Sequence, residues 1–558
     1  MRSIAPILLA CAACVPAGGA SADADDRGHA GLVAVFEEFV AWREAGETTD
    51  LAAAVERHRP AALAERTETL AGLRTRFDAL DPTGWTVPQR VDFLAARAQF
   101  DAAAFRLKVS RPWARDPGFY VDPLMRIAFT ELPTEAAALE ERLDAIDDWL
   151  ALARDSLVDG AADYADLALR NLTRHDGVGH GHPYRAEPPA GVIGWYRDLL
   201  ARAREAQPDL VEPIEAALAE IESFEAWLRE ARAEMTAPAG VGREAFDWYL
   251  RHVKLMPYMA DDVLVLAERE LDRLRAFLAL EEIRNRHLPE LTLPDDAEAY
   301  RERVRRVDAA IRGFIRDTDF ITIPDYIPED FEEMGYNVPW IERPQGPNYW
   351  EQIQYRNPAP DHWHAVIPGH RFDSMVAARL EHPLRRHIAD AGRIEGWAMY
   401  LEEVPLQLGF YDDRPRVREL IYNFGIFRAV RTIGDVKLQR NEMTASEAAE
   451  FWKRYTPYLD DDVARVDAEI YLRRPPGYGI SYTIGAFQLH KLLADRREQL
   501  GADFDLGRFH DRLMAAGRLP ISLIRWELTG YDDEIQALRP YRPLDDLLGD
   551  AAAVGSGR

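Results

Sequence analysis

Hydrophobic and polar positions follow a helical period through most of the chain. In DDVLVLAERELDRLRAFLALEEIRNRHL, Leu264, Ala267, Leu271, Leu274 and Leu278 recur three and four positions apart while charges fill the other faces. That spacing predicts an amphipathic helix with one apolar stripe. AAALEERLDAIDDWLALARDSL and DLVEPIEAALAEIESFEAWLREARAEM repeat the pattern. From about Gly31 to Arg316 the reading is a stack of long helices, without the fixed-period repeat of a solenoid.

The period breaks twice. TRHDGVGHGHPYRAEPPAGVIGW, rich in Gly, Pro and His, reads as a surface loop. Between Phe320 and Pro360 prolines forbid a long helix, and short runs such as Phe320 to Ile323 predict a small β-sheet. Helices resume in FDSMVAARLEHPL, GRIEGWAMYLEEVPLQLG and RELIYNFGIFRAVRTIGDVKLQR, and Thr444 with Glu447 predicts a capping box. The expected fold class is mainly α, a large body of two helical lobes around a cleft, with a small sheet near residues 320–360.

Composition leaves that picture standing: 47% of the 558 residues are hydrophobic and 29% charged, ordinary values for a packed interior. Charge narrows the partners. A formal net charge of −27 repels phosphate backbones and anionic lipid heads, so neither nucleic acid nor a membrane surface is expected. The N-terminus carries Arg2, an apolar run from Ile4 to Val15, and Ala20-Ser21-Ala22, the pattern of a secretory signal cleaved after residue 22. A second reading takes Leu8-Leu9-Ala10-Cys11 as a lipoprotein signal with Cys11 acylated. Both readings export the protein to the periplasm or beyond. Cys11 and Cys14 are the chain's two cysteines, so a cleaved chain has neither disulfides nor cysteine metal ligands. No later segment approaches ~20 uninterrupted apolar residues, so no transmembrane segment is expected. The organisation expected is a signal peptide over 1–22, an N-terminal helical region over 23–316, a C-terminal region with the chemistry over 317–548, and a disordered tail over 549–558. The sequence carries no signal for an oligomeric state.

The chemistry concentrates in DHWHAVIPGHRFDSM, which holds His362, His364 and His370. Catalytic zinc takes three protein ligands and keeps one position open. His364 and His370 are six positions apart, which places them on different faces of a continuous helix. Pro368-Gly369 removes that objection, because proline favours a first helical turn: His364 then precedes the helix while His370 sits in its opening turn. Glu395 lies one helix and a turn further on and is the candidate third ligand. Ordinary solvated or hydrogen-bonded histidines remain the alternative reading of the spacing alone. His175, His180 and His182 form a competing cluster on the Gly-rich loop, where no acid pre-positions them and solvated histidines are the better reading. His490 and His510 read as structural. Neither a phosphate-binding glycine loop nor a serine-nucleophile elbow is found.

HAVIPGHRF, RIEGWAMYLEE, PPGYGISYTIG and FDLGRFHDRLMAAGRLP follow one another in the order and approximate spacing of a known pattern. The chain here resembles the bacterial family called domain of unknown function 885, whose first motif is HExxPGHH. The resemblance covers roughly Tyr349 to Pro520, with weaker similarity through GVGREAFDWYL. It implies a zincin-like fold, related to helical metallopeptidases such as thimet oligopeptidase, carboxypeptidase Taq and angiotensin-converting enzyme. It further implies zinc as cofactor, with His364, His370 and Glu395 as ligands. Tyr482, or alternatively Tyr478, then stabilises the oxyanion, and Asp373 orients the His370 ring. Small peptides are the implied substrates, since a narrow cleft excludes folded proteins.

Two residues depart from the pattern. Ala365 stands where the motif has its glutamate, and a missing general base costs about 10²–10⁴ in rate. Arg371 replaces a histidine and brings a positive charge beside the proposed cation, unless it turns away, pairs with Glu402 or Glu403, or holds a substrate carboxylate. Glu402 and Glu403 lie on a face similar to that of Glu395 and are the candidate replacement bases, with surface or structural carboxylates as the better reading of the pair. His362, with Asp373 and Arg371, is placed among the residues that support the ligands or the substrate. The sequence thus predicts an exported zinc-dependent peptidase, with a degenerate peptide-binding or structural protein as the alternative.

Overall fold

The computed structural model describes residues 19–174, 183 and 187–555. The leader before Gly19 and the loop histidines His175, His180 and His182 lie outside the described residues. The chain is mainly helical, as its periodicity predicts. Local signals start helices where expected: Thr444 accepts from the Glu447 amide while the Glu447 carboxylate accepts from Thr444, opening Ala445–Tyr455. Asp390 likewise accepts from the amide of Arg393 at 3.0 Å.

The expected small sheet near residues 320–360 is a correction: among the described residues there are isolated bridges and no strand. Prolines at 324, 328, 339, 344 and 347 remove ladder donors. Side chains take the place of a neighbouring strand. Tyr300 donates to the Val338 carbonyl at 2.9 Å, and the Tyr355 hydroxyl donates to Pro339 at 2.8 Å while accepting from the Ile341 amide at 2.8 Å.

Two large apolar cores organise the body. One joins residues between Leu32 and Phe100 to residues between Leu255 and Leu538. The other is built from Leu51 to Val55 and from Tyr120 to Met235. The cores therefore cut across residue 316, because the first hundred residues pack with the C-terminal half. The last described helix, Leu544–Gly555, runs into the stretch read as a tail.

The helices that carry the site, in chain order, are α1 (Ala260–Asn285), α2 (Ala297–Asp317), α3 (Ala359–Ala365), α4 (His370–Ala377), α5 (Ala391–Gln407), α6 (Pro415–Gln439), α7 (Asp461–Arg473), α8 (Ile480–Leu500) and α9 (Leu506–Ala515). Helix α6 is the centre. It packs along α1 and against α8 and is buried on nearly every face, which suits its dense run of apolar residues. Helices α5 and α8 cross at Gly396 and Gly485, where a Cβ on Gly396 would lie 2.7 Å from the Gly485 Cα. Only a glycine pair permits that approach, and it brings Glu395 beside the residues that open α8.

Candidate metal centre

The Pro368-Gly369 turn places the first two candidate ligands. His364 lies in the last turn of α3 and His370 is the first residue of α4. At Gly369 the chain folds back so tightly that a Cβ would sit 1.9 Å from the His364 carbonyl oxygen. The fully buried Trp397 of α5 donates its indole N–H to the Pro368 carbonyl at 2.9 Å, tying the helix of the third ligand to the turn of the other two.

The three groups converge. His370 Nε2 lies 3.2 Å from His364 Nε2 and 3.2 Å from Glu395 Oε2, and His364 Nε2 lies 3.9 Å from the same oxygen. Ligand atoms around tetrahedral zinc, with bonds of about 2.0–2.1 Å, stand about 3.3 Å apart, so the triangle has the size of one zinc face. Glu395 Oε2 is buried without a hydrogen-bond partner. One ring N–H on His370 cannot serve both His364 and Glu395, whereas a cation at the centre satisfies all three atoms. Among the described residues His364, His370 and Glu395 are the cluster of His, Asp, Glu or Cys side chains that could hold a metal ion.

Further contacts orient the triangle. Glu402 Oε1 lies 2.7 Å from His364 Nδ1, off the line of a well-aligned ring N–H bond, and accepts from Arg428 at 3.1 Å. The Tyr478 hydroxyl donates to Glu395 Oε1, and Tyr482 donates to Tyr478 at 3.3 Å. The Tyr482 ring lies between the Arg428 and Arg431 guanidiniums, each 4.7 Å from its centroid. Burial pushes the His364 pKa down, and Arg428 adds to the effect against the pull of Glu402, so the ring is the neutral form a metal requires. For Glu395 burial acts upward, but His370 and His364 outweigh it and hold the acid well below the usual carboxylate range. Burial likewise works to raise Glu402, and Arg428 and His364 overcome it. Burial pushes Tyr478 and Tyr482 up, so both stay protonated donors.

Other candidates stand elsewhere. His362 turns into the core, 2.9 Å from Asp308 of α2. Asp373 pairs with Arg393 and Arg518 at 3.3 and 2.8 Å rather than with His370. Arg371 turns away from the triangle and donates to the carbonyls of Met334 and Tyr336, which resolves its charge conflict. Glu403 pairs with Arg273. Glu402 sits behind His364, where it orients the ring, and its pairing with Arg428 removes it as a free base. His510 is structural, 2.6 Å from the Phe320 carbonyl oxygen and 2.9 Å from the Tyr400 hydroxyl.

A cavity of about 730 Å³ opens over the triangle, with Val121, Val192 and Trp195 of the second core on its far wall. Ala365 lines it, leaving a methyl group where an acid was sought. Asp361, missed in the sequence, lines it too: it lies one turn before Ala365 on the same face of α3, is buried, and has Oδ2 without a partner. Arg428 and Arg431 were also missed. Two arginines three apart inside the otherwise apolar FGIFRAVRTIG were the available signal.

A family model described as "Bacterial protein of unknown function (DUF885)" matches residues 43–528. No match is found among curated proteins. Two solved structures share the fold. One, described as a "putative lipoprotein of unknown function" from Shewanella oneidensis, aligns with a TM-score of 0.65 at 14% identity, covering 92% of this chain and 100% of that one. The other, a "putative lipoprotein" from Colwellia psychrerythraea, gives a TM-score of 0.65 at 15% identity over 91% and 99% of the two chains.

Proposed function

The chain belongs to the DUF885 family of bacterial proteins, and from that premise and the geometry of the triangle we propose that it is an exported zincin-like hydrolase of small peptides that uses zinc. The observation that carries the reading is the trio of ligand atoms on His364, His370 and Glu395, spaced 3.2, 3.2 and 3.9 Å apart beside a cavity. The chemistry a zinc ion supplies is Lewis-acid polarisation and activation of water. Glu402 fixes the His364 ring with Nε2 turned to Glu395 and His370. Tyr478 holds Oε1 of Glu395 and leaves Oε2 for the ion. The Tyr482 hydroxyl, released from Tyr478, is the donor to the oxygen that gains charge as a peptide carbonyl is attacked, because the single Tyr478 proton is committed to Glu395. Asp361 takes the proton role that Ala365 cannot, because it is the acid on that face of α3 with an unpartnered oxygen. The cavity volume falls within the range of ligand pockets and suits a short peptide rather than a folded protein.

Export is supported by the Arg2, Ile4 to Val15, Ala20-Ser21-Ala22 pattern and by the description of both solved relatives as putative lipoproteins, with Cys11 the residue a lipid would modify. No helix of the described residues is long and apolar enough to cross a membrane. Ala365 favours a second reading, a peptide-binding protein that has lost its base. Incubating zinc-loaded protein with a mixed library of short peptides and reading products by mass spectrometry separates the two. The first reading predicts cleavage that disappears in His364→Ala. Zinc-loaded wild type that cuts no more than His364→Ala leaves the binding protein.

A further inference from the structure

A second cavity, of about 500 Å³, shares Arg473 and Arg474 with the wall of the cavity over the triangle, and its own wall carries Arg43, Arg57, Arg66 and Arg106. Among the described residues none of these four forms an ion pair with an acid. Arg43 donates to the Gln99 side chain and the His387 carbonyl, Arg57 to the Glu47 carbonyl, and Arg66 to the Trp42 carbonyl. Arg106 makes no hydrogen bond through its guanidinium. Of the two acids on the wall, Asp116 is held by Arg473 at 2.9 Å, and the Glu47 carboxylate pairs with none of the four.

The chain is shaped to keep these cations together. Gly46 leaves room for Arg66, whose Nη2 would lie 2.1 Å from a Cβ at that position. The helix Val87–Phe105 ends in a π turn over Arg106–Ser110, followed by Arg111 at a φ of 36°, and Arg106 opens that turn on the cavity wall. Such turns are rare and concentrate where a side chain is aimed at a function. Burial pushes Arg66 down, and Arg57 and Arg106 repel it further; at Arg106, which keeps an exposed edge, the nearby Glu47 charge offsets part of the same effect. Gathering unpaired positive charge costs free energy, and an anionic ligand is what offsets it. In a chain of net charge −27 the cluster is the reverse of the surface average.

We propose that this cavity binds a small organic molecule bearing two or more phosphoryl or carboxylate groups, held by Arg57, Arg66 and Arg106 and packed against Trp42 and Trp113. Planar guanidinium forks match both kinds of oxyanion, and the aromatic wall takes the apolar body.

The test is titration calorimetry and thermal unfolding of the full chain with pyrophosphate and with citrate at constant ionic strength. It is run on wild type and on Glu395→Ala, so that chelation of a metal at the other centre does not enter. Both backgrounds are expected to bind one of the two probes and to gain Tm, with affinity weakened roughly tenfold in Arg106→Ala and in Arg66→Gln. Preference for pyrophosphate assigns phosphoryl groups and preference for citrate assigns carboxylates. Absence of binding by wild type with either probe overturns the proposal without any variant. Equal binding by wild type and both arginine variants overturns it too, since the anion then sits elsewhere.

Discussion

The two cavities treat charge in opposite ways. Around the candidate metal centre the buried arginines have partners: Arg428 holds Glu402 at 3.1 Å and Arg431 pairs with Asp467 at 3.6 Å. In the second cavity Arg43, Arg57 and Arg66 lean on carbonyls, an amide and aromatic rings, and with Arg106 none of them forms an ion pair among the described residues. Paired buried charges hold one another in place beside the Glu395 oxygen, whereas unpaired ones gather positive potential. The lesson is that both proposals rest on which polar groups lack a partner rather than on which residue types are present.

The largest effect expected falls on Asp361. Asp361→Asn removes the acid that compensates for Ala365, so peptide cleavage drops by about 10²–10⁴ while zinc content stays at the wild-type level. Unchanged turnover in a zinc-loaded Asp361→Asn chain would remove Asp361 from the chemistry. Next comes the paired charge itself. Arg428→Met leaves Glu402 buried without its cation, and urea unfolding is expected to show a loss of about 3–5 kcal/mol.

Acid pH gives a slightly smaller effect. Burial lowers the His510 pKa from 6.5 to about 4, with the Phe320 carbonyl only partly opposing it. Between those values the unfolded chain takes up a proton that the native chain refuses. This component of stability is complete above pH 6.5 and is lost as the pH falls toward 4, by about 3 kcal/mol in all. His510→Asn should flatten that part of the profile, and an identical slope in the variant would contradict the assignment. The smallest effect belongs to the unpaired cavity. Arg57→Ala removes repulsion and no ion pair, so stability in the absence of anion should rise or stay within about 0.5 kcal/mol. A loss as large as that of Arg428→Met would erase the contrast.

Much of the convergence of His364, His370 and Glu395 was legible from a few residues. Pro368-Gly369 announced a break between two histidines, and the structure places that break between α3 and α4. The glycines of EGW and TIG proved to be the contact between α5 and α8. The strands expected after Phe320 failed because a short run between prolines reports local strand propensity and cannot see distant tyrosine hydroxyls satisfying the same backbone groups. The surroundings of the site were illegible for a similar reason. Glu402 lies on α5 and Arg428 on α6, His362 meets Asp308 across 54 positions, and no local pattern links such partners. Arg371 looked like an obstacle to a cation until its guanidinium was seen to be taken by the carbonyls of Met334 and Tyr336.

The most direct test of the account is zinc per chain, measured by plasma emission on purified wild type and on Glu395→Ala after dialysis against zinc-free buffer. The triangle predicts about one zinc ion per wild-type chain and none above background in the variant. Absence of zinc from wild type after loading, or the same content in Glu395→Ala, would contradict it.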